Sequence, residues 1–379
     1  MTATTTAINE KVHALLEEQV RRGDQIGVQV CAYSDGQVVV DAVAGTMGPD
    51  DARPVQPGTV FCSFSSTKGV AATAVHMLAD RGQLDYDAPV AKYWPAFAQN
   101  GKERITVAQA MSHQSGLHAM PSPNLPEHIT DWDAGIRRME EGVPAWEPGT
   151  ATGYHAVTYG WITGGIVQGV TGRHIKDFIR EEIAEPLGVQ DEFYVGIPDG
   201  IEDRLATLEI LPAGTGLDIP EDSDFYKAMP KAMWPHFNGM PFRKACLPSG
   251  NGHFSARALA RMYAALAGDG SIDGVRLVSP GRKASMQRVM TTAVDRVLGL
   301  PATKGIGFFM GGEADGIHGP QGPRVTAFGH SGAGGSVGFA DPEARLAVAV
   351  TLNKMQYPLP GTGPTLEICD LIRAELGAS

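Results

Sequence analysis

The chain has 379 residues, 43% hydrophobic and 19% charged, so it can bury a sizeable core and disorder is excluded. Its 31 basic residues stand against 42 acidic ones, a net charge of −11, which argues against a nucleic-acid face and against docking on anionic lipid. No apolar run is long enough to span a bilayer as a helix, so no membrane partner is expected.

The opening MTATTTAINEKVHALLEEQ has neither a basic n-region nor an apolar h-region, and no secretory signal is expected there. Ile8, Val12, Leu15, Leu16 and Val20 recur at helical spacing, which predicts an amphipathic helix over 8–22. Two β-rich runs follow, Ile26 to Tyr33 and Gln37 to Ala44, joined by Ser34-Asp35-Gly36, a hairpin signal. From 65 to 299 the pattern is mostly helical, broken by Pro and Gly. Within it, 211–247 is weakly periodic and rich in Pro, Gly, Met and aromatic residues, the mark of a binding loop or lid. Strands are predicted at Gly305 to Met310, Gly335 to Ala340 and Leu346 to Leu352, with Asp341-Pro342-Glu343 as the last turn. A closing helix after Pro364 places Ile368, Cys369, Leu371, Ile372 and Leu376 on one side. The simplest assembly is an α/β (α+β) fold. Residues 1–64 and 300–379 would form one antiparallel sheet flanked by the terminal helices, and 65–299 a mostly helical second lobe. The four cysteines, Cys31, Cys62, Cys246 and Cys369, lie far apart without C-x-x-C spacing, which predicts isolated thiols and suits a reducing, cytoplasmic compartment.

Three segments could carry chemistry. In Phe64-Ser65-Ser66-Thr67-Lys68-Gly69-Val70, Ser65 and Lys68 share a helix face, and a serine hydroxyl needs such an adjacent base to become a nucleophile. Taken alone, the same pattern fits an N-capping serine beside a solvated lysine. The second segment is Thr152-Gly153-Tyr154-His155-Ala156 and the third Phe328-Gly329-His330-Ser331-Gly332-Ala333-Gly334-Gly335, read as a Gly-rich turn before a strand. The near match of the third to the G-x-S-x-G elbow fails at Ala333 and lacks the helix that must follow, so Ser331 is not taken as a nucleophile. No His spacing suggests a metal site. His113 and His253 read as structural, and Glu181, Glu182 and Glu185 as a solvated helix face. Trp234, Phe237, Met240 and Phe242 could wall an acyl pocket.

In this order the segments resemble those of the serine β-lactamase and penicillin-binding-protein superfamily, in its class C-like branch with the family VIII carboxylesterases. Gly82-Gln83-Leu84-Asp85, Met111-Ser112-His113-Gln114-Ser115-Gly116-Leu117 and Gly252-His253-Phe254-Ser255 support it, and the likeness runs nearly end to end. The resemblance implies a β-lactamase/transpeptidase-like fold, Ser65 as acylated nucleophile, Lys68 as its base and Tyr154 as proton relay. It implies an oxyanion hole from the backbone N–H groups of Ser65 and Ala333. It further places His330, Ser331 and Gly332 where the lactamases have Lys-Thr-Gly and Gln114 near their pocket-lining glutamine; the residues themselves add Phe64, Trp234 and Phe242 to the expected substrate site, and His155 as either pocket wall or structural. The relay tyrosine would need its pKa lowered, with Lys68 the nearby cation to do it. Two departures matter: Tyr154-His155-Ala156 lacks the amide of the lactamase Tyr-x-Asn box, and His330 replaces the lysine of Lys-Thr-Gly. Both favour a neutral small-molecule ester over a lactam or peptide carboxylate. The expected activity is therefore a carboxylesterase without metal or organic cofactor. The same first half-reaction would also serve an acyltransferase, a β-lactamase or a D-amino peptidase, and the oligomeric state is left open.

Overall fold

The computed structural model describes residues 3–120 and 127–378; the first two residues of the opening stretch lie outside them. Helix α1 (Ala3–Arg22) leads into strands β1 (Gly27–Ser34) and β2 (Gln37–Gly48) and the short edge strand β3 (Asp51–Pro54). The β1–β2 hairpin turns on Asp35 and Gly36, with φ of 48° and 75°, the left-handed pair a tight two-residue turn demands. The principal helices of the middle are α2 (Thr67–Asp80), α3 (Thr158–Thr171) and α4 (Ala256–Ala267). Then come β4 (Phe309–Met310), β5 (Phe328–Ser331), β6 (Val337–Asp341), β7 (Leu346–Leu352) and the closing helix α5 (Pro364–Leu376).

The two chain ends meet in one seven-stranded antiparallel sheet, ordered β3-β2-β1-β7-β6-β5-β4. Val30 pairs with Ala42 on one side and Val350 on the other, and Val350 pairs onward with Val337. Strand alternation then sorts the side chains. Val28, Val30, Val348 and Val350 pack on Ile8, Val12 and Leu16 of α1 and on Ile368 and Ile372 of α5. Cys31, Tyr33, Ala347 and Ala349 face the opposite way, into the larger core shared with α2 and α4. The small alanines of β7 let α4 lie close to the sheet.

Three expectations differ in detail. Only Phe309 and Met310 of the expected 305–310 strand join the sheet. Gly305 N–H bonds Phe308 O at 2.8 Å, and Gly307, at φ 85°, is driven against the helical side, where a Cβ would lie 2.6 Å from that of Ala72. Conversely, Phe328–Ser331 is itself a strand, hydrogen-bonded between β4 and β6. Its Gly329 allows the approach, since a Cβ there would meet Gly338 O at 2.2 Å. Strand β2 also runs on to Gly48, past Ala44, to pair with β3. Segment 211–247 contains only short helical turns, at Asp224–Ala228, Lys231–His236 and Met240–Lys244. Among the described residues no helix is long and apolar enough to cross a membrane.

Candidate active site

The serine turn grows out of a small three-stranded sheet in which Phe61–Cys62 and Phe193–Val195 flank Gly252–Phe254. Ser63 N–H bonds Gly252 O at 2.8 Å, and the chain then bends through Phe64 at φ 46°. That conformation is strained for a bulky residue and persists only where the surroundings enforce it. Here they do. The Phe64 ring lies 4.8 Å from Phe237 and 6.1 Å from Trp234, and its carbonyl accepts the Thr67 hydroxyl at 2.5 Å. Ser65 therefore emerges partly exposed at the head of α2, whose residues Thr67 to Ala79 are all buried.

One turn on, Lys68 is fully buried. Its Nζ donates to Ala156 O at 2.7 Å and Ser249 O at 2.8 Å, and lies 3.0 Å from Ser65 Oγ. Burial holds its pKa well below the usual amine range. A neutral amine has two N–H donors and one lone pair. When the amine is unprotonated the two carbonyls take those donors and the lone pair faces the Ser65 hydroxyl; when it carries its proton, the third N–H donates to Ser65 Oγ. The solvated-lysine alternative is thereby excluded. Ser249 reaches this place because α3 carries glycine at 160, where a Cβ would lie 2.8 Å from Ser249 N.

Tyr154 is buried, its ring 4.8 Å from Lys68 Nζ and its hydroxyl bonded to the Ser65 side chain. Burial raises its pKa above the ordinary phenol value. The expected lowering by Lys68 is not seen: desolvation of the buried phenol sets the direction. The backbone N–H of Tyr154 donates to Asp295 Oδ1 at 3.0 Å, and Asp295 forms a 2.5 Å ion pair with Lys304 in which neither side chain is exposed. Around the phenol lies an apolar group of Ala156, Ala228 and Val297, extended by the half-buried Met229, Leu298 and Phe309.

Strand β5 brings the third segment against the serine turn. A Cβ on Gly332 would meet Ser63 O at 2.3 Å, so glycine is what permits the approach. Ser65 and Ala333 both sit at the beginning of short helical turns, where N–H groups lack partners within the turn. Neither amide donates to a backbone acceptor of another described segment. Next to them, His330 is buried and stacked on Phe309 at 4.7 Å, with Nδ1–H donating to Ser331 O at 2.7 Å. Burial pushes its pKa down to about 3, so the ring is neutral. Ser331, Gly332 and Ala333 line a cavity of about 300 Å³ together with Tyr357 and Leu359.

The other expected substrate contacts differ in their surroundings. The side-chain amide of Gln114 bonds Ser112 Oγ at 2.7 Å, and its neighbour His113 is the one whose ring reaches Tyr154, at 5.1 Å. His155 is fully buried with both nitrogens engaged, Nδ1 on Gly153 O at 2.6 Å and Nε2 on Ser115 Oγ at 2.7 Å. It is structural. Phe64, Trp234 and Phe242 are only 2–3% exposed and pack on one another through Phe237, supporting the strained turn in place of walling an acyl pocket. Phe242 also borders a cavity of about 230 Å³ with Ile129 and Met233. The reading of the sequence missed Ser249, Asp295, Lys304 and the Val297–Phe309 apolar group. The first acts through its carbonyl, and Asp295, Val297 and Lys304 sit in irregular chain, where no periodicity marks them.

The chain and its fold resemble known proteins. The family described as Beta-lactamase matches residues 12–367. The esterase/beta-lactamase LipL of Mycobacterium tuberculosis is 36% identical over 358 residues, spanning 88% of this chain and 78% of that one. A crystal structure of a family VIII carboxylesterase superposes with a TM-score of 0.88 at 34% identity, covering 97% of each chain. A penicillin-binding-protein homologue from Caulobacter crescentus gives 0.88 at 35% identity, covering 99% of this chain and 98% of its own.

Proposed function

The chain belongs to the Beta-lactamase family, and from that membership we propose that it is a serine hydrolase of small, uncharged carboxylic esters, acting through an acyl-enzyme on Ser65. The observation that carries this is the buried Lys68 Nζ, held by two carbonyls and 3.0 Å from Ser65 Oγ, where the unprotonated amine can take the serine proton. The ester names borne by LipL and by the family VIII structure support the same reading.

The ester carbonyl oxygen is received by the N–H groups of Ser65 and Ala333. Ser65 Oγ attacks the carbonyl carbon while its proton passes to Lys68 Nζ. The carbon–oxygen bond to the alcohol then breaks, and the Tyr154 hydroxyl gives its proton to the leaving alkoxide. The Lys68 ammonium returns a proton to the phenolate, which leaves both groups neutral. In the second half, water gives a proton through Tyr154 to Lys68 as its oxygen bonds the acyl carbon, and Ser65 leaves with the proton from Lys68. Base and acid are thus divided: the buried amine is the base, and the phenol, its pKa raised by burial, is the donor. The neutral His330 ring, in the place of the lactamase lysine, offers no charge to a substrate carboxylate, and the apolar group beside Tyr154 suits a short acyl chain. All four cysteines are free thiols, which fits a cytoplasmic setting.

Hydrolysis of p-nitrophenyl butyrate tests the proposal. The wild type is expected to cleave it, and Ser65→Ala to lose that activity with its circular dichroism unchanged. Full activity in Ser65→Ala would overturn the assignment. Nitrocefin should turn over far more slowly than the ester, and comparable efficiency on both would contradict the role given to His330.

A further inference from the structure

The ion pair beneath Tyr154 is not accounted for by the reaction steps. Asp295 Oδ1 accepts three backbone N–H groups, from Tyr154 at 3.0 Å and from Val297 and Leu298 at 2.8 Å each. Its Oδ2 meets Lys304 Nζ at 2.5 Å, and that ammonium also donates to Thr152 Oγ1 at 2.8 Å. A further backbone bond, Arg296 N–H to Thr152 O at 2.9 Å, ties the same two segments. The pair therefore grips the tyrosine segment at two points, residues 152 and 154. It grips the 295–304 loop at its two ends. That loop supplies Val297 and Leu298 to the apolar group around the phenol.

An ion pair with both side chains at zero exposure is a poor source of net stability, because desolvation offsets most of the attraction. Two hydrophobic side chains would hold the loops together at lower cost, but they could not receive three N–H groups and reach a hydroxyl. The arrangement specifies geometry. We propose that Asp295 and Lys304 are positioning residues for Tyr154, locking the tyrosine backbone to the 295–304 loop so that the phenol stays in register with Ser65. The proposal rests on the ester-cleaving role of Tyr154. A shift of about an ångström in a proton donor is enough to cost roughly 10²-fold in rate.

The test is a double-mutant cycle on p-nitrophenyl butyrate. Asp295→Ala and Thr152→Val are made alone and in a Tyr154→Phe background. Alone, Asp295→Ala is expected to lower kcat about 10-fold or more with KM changed less than about threefold, and Thr152→Val to lower kcat by about threefold or more. In the Tyr154→Phe background neither should cost more than about twofold further, because the group they position is already gone. Wild-type kcat in both single variants overturns the proposal. So do losses that multiply fully with that of Tyr154→Phe, as general loosening would give. If Asp295→Ala fails to fold, Thr152→Val decides by the same criteria, since it removes only the two bonds of that hydroxyl, from Lys304 Nζ and to His113 O at 3.4 Å, and leaves both charges paired. Failure of the ester reading is distinguishable: there Ser65→Ala would keep the activity, or the wild type would have none to measure.

Discussion

At the scale of single residues, the division of labour between Lys68 and Tyr154 makes specific demands. Lys68→Ala and Tyr154→Phe should each lower kcat/KM by at least about 10²-fold. Lys68→Arg should be no better than Lys68→Ala, because a guanidinium keeps its proton throughout the working range and cannot accept one from Ser65. An arginine variant with near wild-type activity would show that a positive charge, and not a base, is needed there. The pH profile follows from the same shifts. Lys68 must be unprotonated to act, so the rate should rise with pH through its lowered pKa. The raised pKa of Tyr154 moves its own ionisation out of the alkaline side of an ordinary assay. These residues were legible in the sequence because the chemistry is local: serine and lysine one helical turn apart, then a tyrosine in a recognisable box. Their environment was not. The sequence shows neither that Ala156 and Ser249 turn their carbonyls on Lys68, nor that this burial reverses the expected direction for Tyr154. His155, open between pocket wall and structural role, proves structural for a related reason, since adjacency to a motif says nothing about which way a side chain turns.

At the scale of elements, the site depends on how closely β5 approaches the serine turn. Gly332→Ala would set a methyl 2.3 Å from Ser63 O and force the strand end away, carrying the Ala333 N–H with it. We expect about a 10²-fold loss of kcat, the size of a lost oxyanion donor, with about 1–3 kcal/mol of destabilisation from overpacking. Gly281→Ala is the matched control, because a Cβ there meets nothing within 4 Å, and it should leave kcat unchanged. Wild-type kcat in Gly332→Ala would remove Ala333 from the oxyanion hole. Long elements with a clean period were readable: α1, the β1–β2 hairpin, β7 and α5 all lie where the pattern puts them. Strand β5 was not, because His330, Ser331 and the flanking glycines imitate a turn, and only the ladder to β4 and β6 makes them a strand. The expected 305–310 strand erred in the opposite sense. Gly305 and Gly307 give the chain a tight turn that the apolar residues around them conceal.

At the scale of the whole molecule, the sheet assembled from both chain ends was foreseeable from the order helix–strand–strand and strand–strand–strand–helix, and the seven-stranded order confirms that topology. Burying so many neutral histidines has a consequence for stability. Burial pushes the pKa of His76 down to about 4 and those of His155, His253 and His330 to about 3, against an ordinary value of 6.5. Below that ordinary value the unfolded chain binds protons that the folded chain refuses. Stability is therefore full above about pH 6.5 and falls as pH drops towards 4, by on the order of 1 kcal/mol per unit for each histidine. The guanidinium midpoint should thus decrease markedly from about pH 7.5 to about pH 5, and a flat midpoint would contradict the buried neutral state. The central claim concerns one hydroxyl, and intact-protein mass spectrometry after a fluorophosphonate probe, with peptide mapping, tests it most directly. One adduct on Ser65, absent from Ser65→Ala and strongly slowed in Lys68→Ala, is the predicted result; an adduct on Ser331 or on any other residue, with Ser65 unmodified, would contradict it.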